Sequence, residues 1–166
     1  MRKGEKGILA AIAVIVLAFT GINAYRKSQE TELDKGIPFH STASKQLQEQ
    51  GAKLYHQLSC RDCHTLWGIR NPMQAVPAPS LDGIGSLRDE DWLFEYLSAE
   101  DPKRILPSRL KAEYQMPSYA DLPEDKRRTL AAFLASLKVE DWYLDEVKKS
   151  EYEKLTGETY QGDSNE

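Results

Sequence analysis

Cysteine is almost absent from this chain: two in 166 residues, and both fall within one four-residue stretch. That excludes a disulfide scaffold and marks the pair as a site. A surplus of positive charge is also lacking. Twenty-two Lys and Arg stand against 26 Asp and Glu, a formal net charge of −4. A nucleic-acid binder would need a basic face, so no nucleic-acid partner is expected. There is no internal repeat and no low-complexity tract, and with 40% hydrophobic and 29% charged residues the chain reads as globular. The charge is unevenly spread. Residues 1–25 carry Arg2, Lys3 and Lys6 against Glu5, and the acidic excess falls on the rest. An acidic surface favours basic or neutral partner patches and salt-dependent association.

Residues 7–25, GILAAIAVIVLAFTGINAY, lack any charge. As a helix at ~1.5 Å per residue, such a run nearly matches the hydrocarbon thickness of a bilayer. Basic residues flank it on both sides, with a slight excess before it, which favours a cytoplasmic N-terminus over residues 1–6. A cleaved signal peptide is the rival reading. The run is long for one, and Ile22-Asn23-Ala24 is a poor cleavage site. On either reading the remainder is exported.

Residues 26–40 are polar, contain Gly36 and Pro38, and read as a linker. A helix is then expected to start at Ser41 or Thr42 as cap. Leu47, Gly51, Leu54, Tyr55 and Leu58 recur at helical spacing and lead into the cysteine pair. Prolines 72, 77 and 79 and glycines 83 and 85 predict an irregular stretch over 65–87. A second helix is expected over Asp89–Ala99, burying Trp92, Tyr96 and Leu93, with a short helix or turn at Ser108–Glu113. Met116 lies in a loop. Pro123, Glu124 and Asp125 suit the start of a further helix, with Leu130, Phe133, Leu134 and Leu137 on its buried stripe. Residues 139–166 form an acidic extension with nine acidic residues and three lysines. Leu144, Val147 and Leu155 share one helical face there, and Gly157 is a plausible stop.

The chemistry resides in Cys60-Arg61-Asp62-Cys63-His64. Thiols at i and i+3 lie on one face of a helical turn and can add to the two vinyl groups of a haem. His64 then supplies one axial nitrogen to the iron. A zinc half-site would want a second cysteine pair, and a redox dithiol would want a preceding strand in a βαβ unit; neither is visible. Catalytic groups are not called for. The opposite axial position suits a thioether, which raises the reduction potential. Met1 precedes the apolar run, and Met73 reads as a packing hydrophobe, although it could fold back. Met116, backed by Pro117, is the expected ligand. His40 and His56 are possible ligands in principle, with surface positions the better reading for both.

The spacing Gly51-x-x-x-Tyr55-x-x-x-x-Cys60-x-x-Cys63-His64, the run Pro79-Ser80-Leu81-Asp82-Gly83, and Met116-Pro117-Ser118-Tyr119 before the last helix resemble class I cytochromes c over roughly residues 41–138. The resemblance implies an all-α class I cytochrome c fold around one covalent haem c, here preceded by a transmembrane helix. It implies that the first and last helices cross, with Gly51 and Tyr55 meeting Leu130 and Phe133. It also implies that the Pro79 carbonyl accepts the Nδ1–H of His64 and so fixes the ring. Trp92 and Tyr119 become candidates to line the haem or bond a propionate, core packing being the equal reading for Trp92. Arg88 and Arg104 are further propionate candidates, with a solvated surface position the plainer reading.

The function implied is single-electron transfer through a His64/Met116-ligated haem, by a protein held at a bacterial inner membrane with its haem domain periplasmic. The partners implied are redox proteins: a membrane oxidase, a reductase or a cytochrome bc-type complex, in respiration or photosynthesis. The chain would serve as a tethered carrier or as the cytochrome subunit of a complex; its layout is similar to that of the anchored small subunit of a nitric oxide reductase. The alternatives are a haem enzyme, or a gas-binding sensor with a displaceable methionine. Because the cofactor would fill much of a modest core, the chain without it is expected to fold poorly.

Overall fold

The computed structural model describes residues 12–25, 36–73, 76 and 78–162. Two compact units divide at Ile37 and Pro38. In the first, residues 12–25 are helical (α1 in its described part) and expose their apolar side chains. Among the described residues no helix is long and apolar enough to cross a membrane. The anchor expected over 7–25 extends into residues 1–11, which lie outside the described residues, as does most of the expected linker.

The second unit is mostly helical, with one addition to the all-α expectation. Phe39–Ser41 (β1) pairs antiparallel with Leu137–Val139 (β2), in the register Phe39 to Val139 and Ser41 to Leu137. The ribbon begins inside the segment read as linker. It also takes Ser41 away from the helix cap and Leu137 out of the last helical stripe. Ser41 Oγ instead lies 3.0 Å from Ser136 Oγ. The cap passes to Ser44, whose Oγ accepts the Leu47 N–H at the start of Lys45–Gln57 (α2).

Ile84–Leu87 (α3) is a single helical turn within the stretch expected to be irregular. Glu90–Ser98 (α4) is capped by Asp89, whose carboxylate accepts the Trp92 N–H at 2.8 Å. Leu93 and Leu97 are its buried residues; Trp92 and Tyr96 are half-buried and stack with ring centroids 5.1 Å apart. Glu124–Ala135 (α5) follows Pro123 and buries Leu130, Ala131, Phe133 and Leu134. Asp141–Thr156 (α6) buries Val147 and ends at Gly157, whose φ of +79° is the left-handed cap that glycine adopts without strain.

The core gathers Leu54, Tyr55, Leu93, Leu97, Leu130, Phe133 and Leu134 from α2, α4 and α5. Burying each large side chain contributes roughly 1.5–3 kcal/mol. Helices α2 and α5 meet where Gly51 faces Phe133; a Cβ at position 51 would collide with the phenyl ring. A glycine there lets two helices approach more closely than side chains would allow. This contact fixes how α2, the helix that leads into the cysteine pair, packs against α5.

Candidate functional site

Helix α2 stops at Gln57, and the chain turns through Ser59 in the left-handed region, φ 56°. Few non-glycine residues adopt that conformation. The turn feeds directly into a 3₁₀ segment, Cys60–Asp62, and the His64 N–H donates to the Cys60 carbonyl at 2.9 Å. Cys60 is buried, and burial pushes its thiol pKa up, partly offset by a hydrogen bond with Tyr119. Cys63 is less buried and is shifted the same way, chiefly by burial.

His64 is held from two directions. Its Nδ1 lies 2.7 Å from the Pro79 carbonyl oxygen, and its own carbonyl accepts the Tyr55 hydroxyl at 3.0 Å. Donation from Nδ1 fixes the tautomer and leaves Nε2 for another partner. Burial lowers the imidazole pKa, opposed by the bond to Pro79, which favours the neutral ring.

Pro79 is positioned by its neighbours. The Leu81 N–H donates to the Thr65 carbonyl at 2.9 Å. Asp82 is buried, and its carboxylate accepts the backbone N–H groups of Trp67 and Gly68 and the Ser80 hydroxyl. One buried anion thus ties the loop after His64 to the loop that carries Pro79. It also satisfies a backbone that passes through the left-handed region at Trp67, φ 57°. Asp82 belongs to the run Pro79–Gly83, but its anchoring role depends on residues fourteen and fifteen positions away and has no local signal in the sequence.

A cavity of about 370 Å³ opens beside these residues. Cys60, Cys63, His64 and Pro79 line it together with Met116, so all five candidate residues meet at one space. Trp92, Tyr96 and Tyr119 line it as well. Met73 is 86% exposed and outside this lining. His56 is exposed, and His40 sits 3.4 Å from Glu140. Arg88 is not a solvated surface residue: its guanidinium lies 3.0 Å from Glu151 and 4.9 Å from the centre of the Trp92 ring. Arg104 is exposed and is not part of the lining. Among the described residues, no three or more His, Cys, Asp and Glu side chains are grouped to hold a metal ion.

A largely helical domain whose apolar cavity is lined by two thiols, an imidazole and a thioether can enclose a prosthetic group. Residues 48–138 match the family model described as cytochrome c, and the chain belongs to the cytochrome c family. No curated protein and no solved structure matches it. The family carries haem c, covalently bound and with iron, and the residues here fit that group. The thiols share a short 3₁₀ segment and its cap, the imidazole has one nitrogen free of the backbone, and the cavity is predominantly apolar.

Proposed function

We propose that Cys60 and Cys63 form the thioether links, that His64 and Met116 are the two axial ligands, and that the protein passes single electrons between redox partners. The bound haem supplies a one-electron change between ferric and ferrous iron. The residues of the chain do the rest. Pro79 holds the His64 ring at one orientation in both oxidation states, Asp82 holds Pro79, and the apolar lining excludes water. A ligand set that does not rearrange keeps reorganisation small.

The observation that carries this reading is the convergence of His64, with Nδ1 already bonded, and Met116 on one apolar cavity. The absorption spectrum of the oxidised protein tests it. A weak Met-to-iron charge-transfer band is expected in the parent and in Met73→Ala, and its loss in Met116→Ala. High-spin iron without the band in the parent at neutral pH would instead favour a catalytic or gas-binding haem.

The tether belongs to the same proposal. What supports it is the uncharged run of residues 7–25 between basic flanks. A single-pass anchor in the bacterial inner membrane would keep the haem domain on the periplasmic side and raise its local concentration near a membrane oxidase, reductase or cytochrome bc-type complex. Partition of the full chain into the membrane fraction, with release only by detergent, tests the anchor. Recovery in the salt-washed soluble fraction would rule it out.

A further inference from the structure

The cavity is not built from the family-matched segment alone. Glu151 and Leu155, both on α6 and both beyond residue 138, line it. Helix α6 is fastened along its length. Val147 packs at Gly83, the Arg109 N–H donates to the Leu155 carbonyl at 3.0 Å, and Gly157 abuts the Arg109 side chain. The acidic extension is therefore a fixed part of the domain rather than a loose tail.

Glu151 is an unusual residue to find in such a wall. Its side chain is only 15% exposed, and its carboxylate is met by Arg88, itself 25% exposed, at 3.0 Å. Arg88 in turn lies over Trp92, which stacks on Tyr96. Glu151, Trp92 and Tyr96 line the cavity, so the carboxylate end of the ion pair stands in the cavity wall, with Arg88 behind it, in surroundings where charge is poorly screened. Asp101 and Lys103 also line the cavity and are exposed, with their charges open to solvent.

We infer that the α6 extension supplies one half of a potential-setting pair: Glu151 on α6 and Arg88 at the end of α3 balance the charge felt by the haem, while Leu155 helps keep water from that wall. The ferric cofactor carries one more positive charge than the ferrous. A nearby carboxylate therefore favours the oxidised form and lowers the reduction potential, and a nearby guanidinium does the opposite. Paired at 3.0 Å, the two largely cancel. The inference rests on haem occupying this cavity, and it does not depend on which residue is the second axial ligand.

The test is spectroelectrochemical titration of the full-length haem-loaded protein at one pH and ionic strength. Glu151→Gln should shift the midpoint potential upward, Arg88→Gln should shift it downward, and the double variant should return close to the parent. Glu146→Gln, an exposed position on the same helix, should leave it unchanged. A general loosening of the wall would move both single variants in the same direction, and that result overturns the inference, as does no shift in either. If Arg88→Gln does not accumulate folded, Arg88→Lys takes its place. It keeps the charge and should hold the potential near the parent value, whereas a shift matching that of Glu151→Gln would contradict the assignment. The charge-transfer band, recorded on the same samples, keeps the readings apart. A missing band with opposed shifts removes only Met116, and a present band without shifts removes only the role of Glu151 and Arg88.

Discussion

The two walls of the cavity are built by different means. On the His64 side, a buried carboxylate, a proline carbonyl and a tyrosine hydroxyl reach across the chain to hold one short segment. On the Met116 side, the loop rests on the one-turn 3₁₀ segment Ala112–Tyr114 and on side-chain bonds: Gln115 Nε2 donates to the Leu110 carbonyl and Ser118 Oγ to the Ala99 carbonyl, each at 2.7 Å, the Ala120 N–H donates to Ser118 Oγ at 3.2 Å, and Tyr119 bonds Cys60. Around His64 the bonds are redundant and the loss of one is resisted by the others. Around Met116 the bonds are spread along the loop, and Ser118 and Tyr119 are the side chains that reach partners distant in sequence. On the proposed ligand set, the difference makes Met116 rather than His64 the ligand expected to leave first.

The largest effect should come from the covalent links. The Cys60→Ala/Cys63→Ala protein is expected to lose cooperative thermal melting; a compact, sharply melting domain would mean that the helices suffice without the cofactor. Asp82→Ala should come next. It removes the acceptor shared by the Trp67 and Gly68 N–H groups, and hydrogen bonds to a charged group contribute about 1.5–3 kcal/mol. A loss of about 2–4 kcal/mol in denaturant unfolding is expected, together with changed His64 ring resonances.

Tyr55 gives a pH-dependent version of the same wall. Burial, more than any neighbouring charge, pushes its pKa from 10.0 to about 12. The folded state therefore holds the phenol proton more tightly than the unfolded chain. The stability this provides is fully present below pH 10 and is lost as pH rises toward 12, by up to about 2–3 kcal/mol. Tyr55→Phe should cost about 1 kcal/mol at neutral pH through the lost bond to the His64 carbonyl, and should flatten the alkaline decline. An unchanged decline would assign it to other groups. Ser118→Ala should be the mildest change, within about 1 kcal/mol in stability. Yet it should speed displacement of the Met116 ligand by added imidazole, whereas Tyr55→Phe should leave that rate nearly unchanged. Equal rates in the two variants would erase the contrast between the walls.

Much of this site was legible because its determinants are local. The Cys60–His64 run, the proline after Met116 and the helical spacing around Gly51 all operate over a few residues. Pro79 was reachable only through resemblance, since nothing in its surroundings announces a partner fifteen residues away. The ribbon was missed because strands of three residues carry too little alternation to stand out, and because Leu137 also fits the helical stripe before it. α3 was missed because a single turn can follow a glycine that would break a longer helix. Glu151 falls between Val147 and Leu155 on the helical face read from the sequence, but its charge argued against burial. An acidic residue among nine in a tail reads as solvated, and only the packing of α6 at Gly83 and Arg109 turns it inward. The same packing corrects the reading of Arg88 as a surface side chain.

The short ribbon has a mechanical consequence. The chain enters the domain at Pro38, whose carbonyl accepts the Glu140 N–H at 2.9 Å, and passes at once into the pairing of β1 with β2. Any pull arriving along the preceding residues is taken up there, by rungs that join the entry of the domain to its last family-matched residues. Only when those rungs part does the load reach α2 and the turn at Ser59. If the preceding run is a membrane anchor, the ribbon would act as a strain relief for the haem wall, like the clamp that holds a cable so that its solder joint never bears weight.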